Sequence, residues 1–213
     1  MNGRDQTVII NTNAWNRIRY TLWAPIYDRI AAFPTYRRRS IALLGLAPGE
    51  EVLIVGAGTG ADLPYLPPAV NVTAIDLTPA MLERLRARAQ ALDLPVDARV
   101  MDGQALDLPT ARFDAVMLHL ILAVIPDPVA CIKEVERVLK PGGRVVIFDK
   151  FVPDAEEPGM GRRMTNVVTN LLFSDITRKL GPIVAHTNLV VEREESGRIA
   201  GVPYRTVVLS KKG

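Results

Sequence analysis

An uninterrupted apolar run, Val52-Leu53-Ile54-Val55, leads directly into Gly56-Ala57-Gly58-Thr59-Gly60. A short apolar run with no polar face predicts a strand buried on both sides, as in parallel sheets. The glycines that follow permit a tight turn and let a ligand come close to the main chain. A helix start after such a turn would add free N–H groups. A second run, Val72–Ile75, ends in Asp76, twenty residues after Gly56. At that spacing a carboxylate can accept from both hydroxyls of a ribose. Glycines and an acid at consecutive strand ends predict a nucleoside site.

The flanking sequence extends this pattern. Residues 13–44 read as helical, interrupted near Pro25 and Pro34. Thr78-Pro79 opens a helix to Leu92 that carries Met81, Leu82, Leu85, Ala89 and Leu92 on one face. Val96–Met101 and Phe113–Leu118 predict further strands, and a helix from Asp127-Pro128 would bury Cys131, Ile132, Val135, Val138 and Leu139. Pro141-Gly142-Gly143 ends it, and Arg144–Phe148 predicts a fifth strand. A loop at Pro153–Gly159, a helix at about 162–180, and strands at about Leu189–Glu194 and Tyr204–Leu209, joined as a hairpin, complete the reading.

Alternating strands and helices predict an α/β fold with an open, mostly parallel sheet and helices on both faces. The expected organisation is one domain over 1–213: a helical lid (1–45), a ligand-binding core (50–150), and a C-terminal helix and hairpin (160–213). Gly56, Asp76, Asp102 and His119 would all emerge at the carboxyl ends of strands, where such sheets bind ligands.

Composition narrows the class. The chain is 48% hydrophobic and 23% charged, the balance of an ordinary globular protein. Its longest apolar stretch, Ala115–Ile125, is interrupted by His119 and is too short to span a bilayer. With no secretory pattern at the N-terminus and Cys131 as the only cysteine, a cytoplasmic location is expected. His119 and His186, far apart, offer no metal-ligand spacing, so no metal is expected. The net charge of +3 is modest, but Arg17, Arg19, Arg29, Arg37, Arg38 and Arg39 interleave with Trp15, Tyr20, Trp23, Tyr27, Phe33 and Tyr36. Such a segment suits a membrane–water interface or a nucleic-acid surface, and equally a solvated helix with its aromatics turned inward.

The glycine loop alone does not choose its ligand, because Gly56, Gly58 and Ala61 also satisfy the dinucleotide pattern G-x-G-x-x-G/A. A nicotinamide or flavin oxidoreductase is therefore the competing reading. Against it stand the roughly fifty residues before the first strand, the second acid Asp102 after the third, and the absence of a large substrate domain after Asp149.

Five segments, VLIVGAGTG, AIDLTPAML, MDGQALDLP, FDAVMLHLILAVIPDP and EVERVLKPGGRVVIFD, resemble in order and spacing the motifs of class I S-adenosylmethionine methyltransferases. The resemblance implies a Rossmann-like sheet of seven strands with the last antiparallel, and S-adenosylmethionine as cofactor. It implies that Gly56, Ala57, Gly58 and Gly60 lie against the methionine part and that Asp76 holds the ribose. Leu77 and Met81 would flank the adenine, with Asp102, Gly103 and Gln104 on its edge and His119 and Leu120 near the sulfonium. The family's usual acid two residues before the first glycine is Ile54 here, which makes Asp62 a candidate partner for the cofactor's ammonium. An acid at position 54 would then be tolerated.

The segment Trp23-Ala24-Pro25-Ile26-Tyr27-Asp28 resembles the entry of quinone C-methyltransferases and bacterial phosphatidylethanolamine N-methyltransferases, where this helix looks like a lid. That likeness makes Tyr20 and Tyr27 cofactor-site candidates, Tyr27 and His119 the catalytic candidates, and a lipophilic or small-molecule acceptor the expected partner. The amino head group of phosphatidylethanolamine is one such acceptor; a soluble small molecule is the alternative. The Arg/aromatic lid would contact anionic membrane on its inner face. No nucleic-acid partner is expected, since no Asn/Asp-Pro-Pro-aromatic signature follows the fourth strand, and the protein is expected to be a monomer or homodimer. Asp149 and Lys150 end the fifth strand and would also face the pocket in this topology, ordinary strand-end polarity being the plainer reading.

Overall fold

The computed structural model describes residues 11–154, 166, 169–170, 174–199 and 201–213. Three helices open it: α1 (Asn13–Trp23), α2 (Tyr27–Ala31) and α3 (Pro34–Leu43). The breaks fall where the prolines predict. Pro34 takes the first turn of α3, and Phe33 before it adopts a left-handed backbone, φ 42°. Thr12 caps α1, its side chain accepting from the Trp15 amide.

The sheet contains β1 (Glu51–Val55), β2 (Asn71–Asp76), β3 (Val96–Val100), β4 (Phe113–His119), β5 (Leu139–Asp149), β6 (Leu189–Ile199) and β7 (Val202–Lys211). Their spatial order is β3-β2-β1-β4-β5-β7-β6, with β7 antiparallel to both neighbours and the first five parallel. The order reverses between β1 and β4, which opens a crevice at their carboxyl ends.

Side chains on β1 alternate between the two faces. Leu53 and Val55 join a core layer with α5 (Pro128–Val138) and α6 (Leu180–Val184). Val52 and Ile54 join a second layer with α3 and α4 (Pro79–Ala91). All four are buried, each at about 1.5–3 kcal/mol of transfer free energy.

Three departures from the expected alternation have local causes. The β1–β2 connection holds only a short 3-10 turn, Leu63–Tyr65, because Pro64, Pro67 and Pro68 deny a longer helix its N–H donors. The β3–β4 connection holds no helix. The helix expected at about 162–180 and the loop at 153–159 lie largely outside the described residues, and residues 174–179 are not helical. No helix among the described residues is long and apolar enough to cross a membrane.

Candidate functional site

The turn after β1 is built by left-handed glycines, Gly56 at φ 68° and Gly58 at φ 55°. A Cβ on Gly56 would sit 2.7 Å from Ile121, so only glycine fits between that side chain and the turn. Asp76, at the end of β2, is half-buried beside them. Its carboxylate accepts from the Gly58 amide (2.9 Å) and the Thr78 amide (2.8 Å). Burial raises its pKa against the pull of those two donors.

Asp102 follows β3 and forms the opposite wall. One oxygen accepts from the Gln104 amide (2.9 Å), the other from Asn13 Nδ2 (2.6 Å) at the head of α1. Between the two acids lies a cleft lined by Gly56, Gly58, Leu77, Met81, Met101 and Gly103 among others. An apolar slot between two carboxylates, beside a glycine turn, fits a nucleoside: acids for ribose and amine hydrogens, apolar faces for the base.

The lid covers this cleft. Asn11 and Asn16 both donate to the Val124 carbonyl, at 2.7 and 3.2 Å, which ties α1 to the segment after β4. Asp28 pairs with Thr59 of the glycine turn and Arg88 of α4. Tyr20 and Tyr27 meet edge to face, ring centroids 5.9 Å apart. Both line the cleft and also a second cavity with Trp23, Phe33, Val202 and Tyr204 on its walls. Burial pushes the Tyr27 phenol up to about 12 and raises Tyr20 further, so both stay neutral at ordinary pH.

Gly56, Gly58, Asp76, Leu77, Met81, Asp102, Gly103, Leu120, Tyr20 and Tyr27 thus come together around one cleft. Ala57, Gly60 and Gln104 stand behind it. The Ala57 amide donates to Ile75, a Cβ on Gly60 would press on Leu63 and Leu85, and Gln104 braces Asp102 and Asn13.

His119 and Asp62, both expected at the site, are absent from the lining of the cleft. The His119 ring is buried, with Nδ1 on Asp62 Oδ1 (2.7 Å) and Nε2 on Ser40 Oγ (3.0 Å). Both nitrogens are committed, and the ring lines neither cavity, so it is not positioned as a base. The second oxygen of Asp62 accepts from Arg37 Nη1 at 2.8 Å, and Arg37 also donates to the carbonyls of Ala31 and Ala32. Asp62 is therefore the counter-ion of a latch that joins Arg37 of α3 to His119 at the end of β4. Ile54 is 1% exposed in the apolar layer under α3 and α4, so an acid there would meet no partner.

Asn13, Asn16, Thr78, Met101, Ile121, Val124 and Ile125 also line the cleft and were not expected from the sequence. The cluster Asn11-Thr12-Asn13 at the head of a helix was the available signal for the first of them. Leu120, at φ 62°, carries the chain sharply from β4 into this wall.

A seven-stranded sheet with this crevice and two acids defines a nucleoside-using α/β protein, and residues 53–147 match the methyltransferase domain family. The chain belongs to the class I S-adenosylmethionine-dependent methyltransferases and is an enzyme of that family, with S-adenosylmethionine as methyl donor. The oxidoreductase alternative is thereby set aside. It is 40% identical over 141 residues to phosphatidylethanolamine N-methyltransferase of Cereibacter sphaeroides, covering 63% of this chain and 68% of that one. Demethylmenaquinone methyltransferase of Tropheryma whipplei is 37% identical over 115 residues, 54% of this chain and 47% of the relative. The chain thus spans about half the length of that second relative.

Solved structures share the fold at low identity. The 4+2 cyclase SpnF superposes with a TM-score of 0.77 at 18% identity, covering 94% of this chain and 96% of that one. Geranyl diphosphate C-methyltransferase from Streptomyces coelicolor A3(2), in complex with Mg2+, geranyl diphosphate and S-adenosyl-L-homocysteine, gives 0.71 at 15% identity, covering 83% and 80%.

Proposed function

We propose that the protein methylates a lipophilic acceptor at a membrane surface, the amino head group of phosphatidylethanolamine being the acceptor its features favour. The observation that carries this reading is the second, largely apolar cavity, which shares Tyr20, Tyr27, Leu120 and Val124 with the nucleoside cleft. A donor cleft and an apolar acceptor cavity that meet at two tyrosines suit a substrate with a reactive polar end and an apolar body. The likeness to a phosphatidylethanolamine N-methyltransferase points the same way.

The lid supports membrane contact. Ile18, Leu22 and Ile26 are 55%, 74% and 42% exposed, beside exposed Arg17 and Arg29. Apolar side chains that enter the interface, flanked by cations for anionic lipid, are what a peripheral contact needs. Arg19 and Arg37, by contrast, turn into the protein.

Within this reading, S-adenosylmethionine supplies a methyl group on a sulfonium, activated for in-line displacement. Asp76 would hold the ribose and Asp102 the adenine amine, with Leu77 and Met81 on the base and Gly56 and Gly58 leaving room for the methionine part. Tyr20 and Tyr27 would border the reacting centre, offering aromatic faces that attract a cation. The enclosed apolar walls would strip water from the acceptor amine, and positioning would carry the rest of the rate.

The test uses isotope-labelled S-adenosylmethionine with vesicles of phosphatidylethanolamine and an anionic phospholipid. Label in the lipid extract and co-flotation of the protein with the vesicles are expected. Label found only in a soluble amine, thiol or phenol, with no flotation, would overturn the lipid reading in favour of a soluble acceptor.

A further inference from the structure

The acceptor cavity is apolar and aromatic over most of its wall, with Thr169 and Ser174 as its aliphatic hydroxyls and Lys150 as the one charged side chain among its described lining residues. Lys150 follows β5 and is half-buried. Its Nζ donates to Ser174 Oγ at 2.9 Å and lies 5.9 Å from the centre of the Tyr204 ring. No carboxylate among the described residues forms an ion pair with it. The nearest in sequence, Asp149, is fully buried and turns its two oxygens onto the backbone amides of Ala123 and Lys150. Ser174 is 3% exposed, and among the described residues its hydroxyl hydrogen has no acceptor.

A half-buried cation that forms no ion pair among the described residues, beside a hydroxyl whose proton finds no acceptor among them, feels the charge of the buried Asp149 but leaves its cavity side open to an anion. We propose that Lys150 and Ser174 form an anion-recognition pair that takes a phosphate oxygen of the acceptor. The acceptor's reacting end would then lie toward Tyr20 and Tyr27. This inference rests on the reading above only in seating the acceptor in this cavity. It deepens that reading: the enzyme selects acceptors that carry a phosphate ester close to the methylated atom. A lysine ammonium binds phosphate as a point charge, and the serine adds a directed hydrogen bond. Burial holds the Lys150 ammonium below the ordinary lysine value, and a bound phosphate would reverse that.

The test separates this pair from methyl transfer. Protein loaded with S-adenosylhomocysteine is titrated calorimetrically with dodecyl phosphate, dodecanol and inorganic phosphate, the amphiphiles below their micellar concentrations. Wild type should bind dodecyl phosphate about 10- to 100-fold more tightly than dodecanol, the range of a charge-assisted hydrogen bond. Lys150→Met should lose that preference, Lys150→Arg should keep most of it, and Ser174→Ala should lose several-fold. Unchanged affinity for S-adenosylhomocysteine in each variant verifies the fold. A preference absent in wild type or intact in Lys150→Met overturns the proposal. Inorganic phosphate binding as tightly as dodecyl phosphate would assign the pair to a free anion and overturn its role in acceptor choice. Phosphate preference without lipid methylation would refute the acceptor reading alone.

Discussion

Replacing Asp62 with Asn separates the two roles that its carboxylate could have. In the structure Asp62, Arg37 and His119 have side chains only 4%, 5% and 1% exposed. Asn keeps the shape but removes the charge and points N–H groups at donors. The Arg37 guanidinium would then be buried without that carboxylate, with the Ala31 and Ala32 carbonyls and at most one neutral amide oxygen as acceptors. Removing one partner of a buried ion pair costs about 3–5 kcal/mol. For a chain of this length that is a fall in Tm of roughly 6–20 °C. Differential scanning calorimetry reads it. Titration of the folded variant with S-adenosylhomocysteine should show affinity within about threefold of wild type, since Asp62 does not line the cleft. An unchanged Tm with a tenfold or greater loss of affinity would refute the latch and restore Asp62 as an ammonium ligand. The pH dependence has a definite sign. Burial alone would raise the Asp62 pKa, but His119 and Arg37 outweigh it and hold the carboxyl well below its usual range. A depressed folded pKa stabilises above the unfolded value near 4 and is lost as pH falls through the folded one. The difference in stability between wild type and Asp62→Asn should therefore shrink as the pH falls below about 4.

Two further substitutions follow from the same geometry. Asp76→Ala should weaken S-adenosylhomocysteine binding by about 100-fold or more, since two charge-assisted hydrogen bonds to a ribose are worth about 1.5–3 kcal/mol each; calorimetric affinity within tenfold of wild type would remove Asp76 from the ribose. Ile54→Asp should destabilise by about 3 kcal/mol or more, because the carboxylate would enter an apolar layer with no partner; a Tm equal to wild type would show that the layer yields or that a partner reaches it.

The run Val52–Val55, the glycines after it and Asp76 were legible as a strand, a turn and an acid because each follows from local chemistry. Continuous apolar residues need burial on both faces, and a left-handed turn needs glycine. The helices of the lid, bounded by Pro25 and Pro34, were legible for the same reason. The missing helix between β1 and β2 was legible too, in Pro64, Pro67 and Pro68, but alternation of elements masked it. What no local pattern could decide was the destination of polar side chains. His119 follows a strand at the right end of the sheet, yet Ser40 and Asp62, 79 and 57 residues away in sequence, close both its nitrogens. Lys150 was expected to face the pocket from the end of its strand, and the packing of Ser174 and Tyr204 gives it its partners in the cavity wall. Of the six lid arginines, Arg19 and Arg37 go inward while Arg17, Arg29, Arg38 and Arg39 stay outside. Sequence alone determined that this chain makes a nucleoside crevice at the end of a parallel sheet. Tertiary structure decided which charges face that crevice, because a buried charge goes where a partner waits, and its partners come from distant parts of the chain.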